Sequence, residues 1–156
     1  MPLIFRSMKA DGDRPRIGND ANSLGIRIGD NEGDPFDIPV QDSQVRPETG
    51  GMSVAPSPAS LPRHKIPREF AKVYPGARCK QPLICWQMGE GPFETGPLTE
   101  RLVFRNDPGS PTEHGFVEPH QEMLLTEYQD ALTATQPAWK CVPWVQEAAS
   151  ETEKSS

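Results

Sequence analysis

Apolar positions in this chain gather into short blocks separated by long polar stretches, and most of the blocks have the length and alternation of β-strands. Pro2–Met8 carries Leu3, Ile4 and Phe5 with Arg6 set among them, which predicts an early strand. Leu83–Met88 and Arg101–Arg105 are compact β-like runs divided by the turn material of Gly89–Pro97. His114–Glu118 predicts a further strand, which Pro119 stops. Leu24–Ile28 is expected to be a short strand, with brief extended pieces at Asp37–Val40 and Gln44–Arg46. The helical period shows best from Gln121 to Ala134, where Met123, Leu124, Tyr128 and Leu132 recur and Pro137 closes the segment. Leu124, Tyr128 and Leu132 are expected to face inward. A shorter helix is predicted over Arg68–Val73, with Pro67 in its first turn and Pro75-Gly76 after it.

Between these blocks the chain reads as turn. Lys9–Asp37 contains Asp11-Gly12, Arg14-Pro15, Gly18-Asn19, Gly29-Asp30 and Gly33-Asp34-Pro35, and four prolines forbid regular helix over Pro56–Pro67. The 18 Pro and 13 Gly make up about a fifth of the chain, against about 12% on average, so few short helices and long ordered loops are expected around a compact core. The fold class predicted is α+β, in one domain over residues 1–145. Residues 146–156 have no apolar anchor and are expected to form a disordered acidic tail.

Charge narrows the function classes. A net charge of −6 opposes nucleic-acid binding, because a phosphate backbone rewards basic surfaces. The local basic stretch of Arg63, His64, Lys65, Arg68, Lys72, Arg78 and Lys80 reads first as a solvated loop and short helix. No apolar run approaches the ~18 residues that cross a bilayer, and no signal peptide is expected, so neither is a membrane partner. Cys79, Cys85 and Cys141 form neither a disulfide framework nor a zinc pattern; reduced thiols and a cytoplasmic location follow as the expectation. Asp30, Glu32, Asp34 and Asp37 suggest a calcium loop, but the glycine falls at the wrong position, and no metal is expected.

Three places carry candidate chemistry. Gly50-Gly51-Met52-Ser53 allows backbone dihedrals closed to other residues and close approach of a ligand, followed by a hydroxyl; a tight turn between strands is the plainer reading. Arg6 inside an apolar strand is either at an exposed edge or held for a buried acid or a phosphate, which its planar fork can grip with two hydrogen bonds. Glu118 ends its strand on the same face as Phe116, positioned to enter a cleft or to remain a solvated acid. Glu113 and His114 are its alternates. His64, His114 and His120 are not spaced as metal ligands and show no pairing with a nucleophile.

Leu3–Arg6, Asp37-Ile38, the run Val45–Val54 and His114–Pro119, with Met123 and an amphipathic helix beyond, together give the chain a family likeness. It resembles the NAD-dependent ADP-ribosyltransferase-like toxin family typified by a type VI secretion effector of Pseudomonas. The likeness spans both ends of the chain in order and leaves Pro56–Glu100 unmatched. It implies a split β-sandwich gripping NAD as substrate in a cleft, with Arg6, Ser53 and Glu118 in the catalytic roles. Arg6 would hold the pyrophosphate, the Gly50, Gly51 and Met52 backbone the nicotinamide amide, and Ser53 would orient the carboxylate of Glu118. It further implies transfer of ADP-ribose to a macromolecule, expected to be a protein, and a cognate immunity protein as a second partner. A catalytically inactive NAD-binding or protein-binding module of the same fold is the alternative.

Overall fold

The computed structural model describes residues 1–29, 33, 35–67 and 83–142. The expected helix over Arg68–Val73, the acidic tail, Cys79 and most of the basic stretch lie outside the described residues.

Two antiparallel sheets form the frame. In the first, β6 (Ile84–Met88) lies between β1 (Ile4–Met8) and β11 (Lys140–Cys141). In the second the order is β5 (Met52–Val54), β9 (Gly115–Pro119), β8 (Leu102–Asn106) and β7 (Gly96–Pro97). The chain after β5 stitches the sheets together, since Phe5 and Ala55 exchange both backbone hydrogen bonds, at 2.8 and 2.9 Å. β2 (Ala10–Asp11) and β3 (Arg14–Pro15) make a small hairpin, and β4 (Gln44–Val45) pairs with β10 (Met123–Leu124). The single α-helix among the described residues, α1, runs Leu125–Thr133. Among the described residues no helix is long and apolar enough to cross a membrane.

Alternation divides β1 between two apolar clusters. Ile4 and Met8 join the main core with Met52, Val54, Trp86, Phe104, Val117, Tyr128 and Leu132. Phe5 faces the other way, with Ala55, Leu61, Ile66, Cys85 and Val142. Every residue of β1 is therefore buried, Arg6 included at 5% exposure. The exposed-edge placement of Arg6 is overturned: a strand covered on both faces leaves no wet side for it.

Two further expectations need correction. The helix starts four residues later than its period suggested, because Met123 and Leu124 pair with Val45 and Gln44 as a strand. Leu124 consequently points outward, 44% exposed, while Tyr128 and Leu132 are buried as expected. Leu24–Ile28 forms no strand, and only Leu24 makes a bridge, to Ile17. Its apolar residues Leu24 and Ile26 are nevertheless fully in the core, packed as loop.

Candidate functional site

Arg6 is the buried cation at the seam of the sheets. Its Nη1 donates to the carbonyl of Ser53 at 2.8 Å, and Nε and Nη2 donate to the carbonyl of Ser23 at 3.2 and 3.0 Å. Longer contacts reach the carbonyls of Ala21 and Gly25. A buried guanidinium needs such partners; here they are all backbone oxygens, and the side chain ties the 21–25 loop to β5. Burial pushes its pKa down to about 10, against the opposing pull of Asp37, Tyr128 and Asp20.

Beside this anchor opens a cavity of about 380 Å³, lined by Arg6, Ser7, Ser53, Arg27, Lys65 and His114 among others. Lys65 is carried there by a single 3-10 turn, Arg63–Lys65. The Ser7 hydroxyl donates to the Lys65 carbonyl at 2.6 Å, and the Lys65 ammonium donates to the carbonyl of Ala21. Desolvation, with the neighbouring Arg6 and Arg27 charges, lowers the Lys65 pKa to about 8. Arg27 is held by Asp37, with Nε and Nη2 both on Oδ1 at 3.1 and 2.9 Å, and the Arg27 amide donates to Oδ2 at 2.6 Å. Asp37 is thus a structural partner rather than one more acid in a solvated loop.

His114 enters the cavity from the start of β9. Its Nδ1 lies 2.9 Å from Asp107 Oδ2, and its ring meets Phe116 edge-on at 4.9 Å. The hydrogen bond from His114 is the main cause holding the Asp107 carboxyl below its ordinary range. Among the described residues no group of three or more His, Cys, Asp or Glu is placed to hold a metal ion.

Arg6 and Ser53 are brought together at this cavity; Glu118 and the glycine pair are not among its lining residues. In the antiparallel register Ser53 lies opposite Phe116, so Glu118 is two residues along β9 on the same face. Its carboxylate is only 1% exposed and accepts from Arg105 Nε at 3.0 and 2.9 Å, with the Arg105 guanidinium also over the Phe116 ring. Burial raises the Glu118 pKa, while Arg105 and hydrogen bonds from the Glu48 and Gly50 amides oppose the rise.

The Gly50–Met52 backbone is engaged internally. The Gly51 amide donates to Asp37 O at 2.9 Å, and the Met52 amide to the Tyr128 hydroxyl at 3.2 Å. Both glycines are required by close packing: at φ +136° and +154°, an added Cβ would lie 2.3 Å from Asp37 O at Gly50 and 2.4 Å from Val117 O at Gly51.

Lys65, Arg27 and the Asp107–His114 pair are residues at the cavity that the sequence does not single out. Lys65 belongs to a basic stretch that reads locally as solvated. Asp107 and His114 flank a turn between two predicted strands, which was the available signal for their meeting. Comparison of the chain with protein-family models, with curated proteins and with solved structures finds no match in any of the three.

Proposed function

We propose that this chain is an NAD-dependent ADP-ribosyltransferase-like toxin that holds NAD in the cavity beside Arg6 and Ser53 and passes ADP-ribose to a macromolecular acceptor, a protein. The observation that carries the reading is the joining of strand-borne Arg6 and Ser53 across the seam of two sheets, at the wall of a cationic cavity. A dinucleotide brings a diphosphate, and Arg6, Arg27 and Lys65 supply the complementary charge. Rupture of the nicotinamide–ribose bond leaves positive charge on the ribose, which a carboxylate stabilises. In this reading Glu118 is that carboxylate, and it must part from Arg105 towards Ser53 when NAD is bound.

A second reading is favoured by the Glu118–Arg105 pair itself. With Glu118 closed off and no carboxylate among the described lining residues, the same cavity suits a catalytically inactive module that binds NAD or a protein. Calorimetry with NAD and transfer from labelled NAD in cell lysate separate the two. Label transfer that falls in Glu118→Gln, with NAD affinity held within about threefold, supports the transferase. NAD binding without transfer or nicotinamide release supports the inactive module, and a folded protein that does neither removes both NAD readings.

A further inference from the structure

The donors of Arg6 are largely spent inside the fold. Nε and Nη2 serve the carbonyls of the 21–25 loop, and Nη1 serves Ser53 O, which among the described residues leaves one Nη1 hydrogen uncommitted from a guanidinium that has five. Arg27 has Nε and Nη2 on Asp37, which balances its charge. Lys65 differs from both. Among the described residues it has no carboxylate partner and its ammonium meets only the carbonyl of Ala21, so two of its three donors are uncommitted there, and the residue lines the cavity. Its backbone is held to β1 by the Ser7 hydroxyl, and its ammonium is held to the 21–25 loop by the Ala21 carbonyl.

We infer that Lys65 is the cation that touches the phosphate groups of a diphosphate-bearing ligand in this cavity, with Arg6 a positioning residue that shapes the wall behind it. This deepens the NAD reading, since the ligand class is the diphosphate common to NAD, ADP-ribose and pyrophosphate. The burial of Lys65 supports it. Desolvation weighs most on the ammonium and the nearby Arg6 charge adds to it, so an anion beside Lys65 stabilises its charged form.

The sign of the pH dependence follows. The free site holds its Lys65 proton below about pH 8, and a bound anion raises that value, so affinity is full below about 8 and falls as pH rises through it. The other groups facing Lys65 are Arg6, Arg27, Asp37 and Asp20, with His64 and His114 also lining the cavity.

The test is calorimetry of the full chain with pyrophosphate, ADP-ribose and NAD, on the wild type, Lys65→Gln and Lys65→Arg, each checked for unchanged melting. Lys65→Gln is expected to weaken ADP-ribose binding at least about tenfold, and Lys65→Arg to stay within about threefold. Between pH 7.5 and 9.5 the wild-type affinity for ADP-ribose should fall, while Lys65→Arg, which keeps both histidines, stays flat. Equal binding by Lys65→Gln, a pH dependence that survives in Lys65→Arg, or no binding of pyrophosphate and ADP-ribose by the wild type would overturn the inference. Binding of pyrophosphate and ADP-ribose but not NAD, weakened in Lys65→Gln, keeps Lys65 in this role and removes the NAD reading. Binding of all three with no effect of Lys65→Gln does the reverse.

Discussion

The guanidinium of Arg6 reaches across the seam between the two sheets to the carbonyl oxygen of Ser53, 2.8 Å away. The contact is from side chain to backbone, so it fixes where β5 runs and does not engage the Ser53 hydroxyl. Loss of Arg6 would therefore loosen the wall of the site and the 21–25 loop together. For that reason the variants that test the fold are best placed on other residues.

Tyr128 is the simplest of these. Its hydroxyl donates to Val117 O and accepts from the Met52 amide, bridging β9 and β5 just beside Gly51. Tyr128→Phe leaves the buried Met52 amide and Val117 carbonyl without this partner. We expect a loss of about 1–3 kcal/mol in urea denaturation. A change below about 0.5 kcal/mol would show that the bridge contributes nothing.

The Glu118–Arg105 pair should behave as a unit. Glu118→Gln and Arg105→Ala are each expected to lower stability by about 1.5–3 kcal/mol, the range for hydrogen bonds to charged groups. The double variant should lose less than the sum of the two, because the partner left behind is gone as well. Additive losses in a double-mutant cycle would mean that the two side chains act separately.

Two leucines eight residues apart, one on β10 and one on α1, give opposite expectations. Leu132 is 1% exposed, and Leu132→Ala should cost about 2–5 kcal/mol. Leu124 is 44% exposed on β10, and Leu124→Ala should change stability by no more than about 0.5 kcal/mol. Thermal or chemical unfolding of the two variants reads the difference directly.

The Asp107 carboxyl sits below its ordinary range, chiefly through its hydrogen bond with His114. A depressed carboxylate adds stability that is present above the unfolded value and is lost as pH falls through the folded one. His114→Ala should raise the Asp107 midpoint toward the ordinary carboxylate value in an NMR titration. An unmoved midpoint would assign the depression to the Gly109 amide, which also donates to Asp107.

Local pattern determined the four five-residue strands by itself. The runs around Ile4–Met8, Ile84–Met88, Leu102–Asn106 and Gly115–Pro119 are short, β-prone and bounded by glycine or proline, so each carries its own boundaries. The inward face of α1 was legible at Tyr128 and Leu132 for the same reason, since a 3.6-residue period is a local property. Leu124 escaped because pairing with Gln44, 80 positions away, replaced the first helical turn by a strand.

The site was legible as residue types and not as an arrangement. Arg6, Ser53 and Glu118 could be picked out because a charge in an apolar strand, a hydroxyl after paired glycines and an acid at a strand end are each unusual locally. Only the tertiary structure decided what each one meets. It buried Arg6 by covering both faces of β1, placed Ser53 at the cavity wall, and closed Glu118 against an arginine on the neighbouring strand. It also lifted Lys65 out of an ordinary basic stretch, because burial beside Arg6 and Arg27 depends on three segments folding to one point, and no local pattern encodes that meeting.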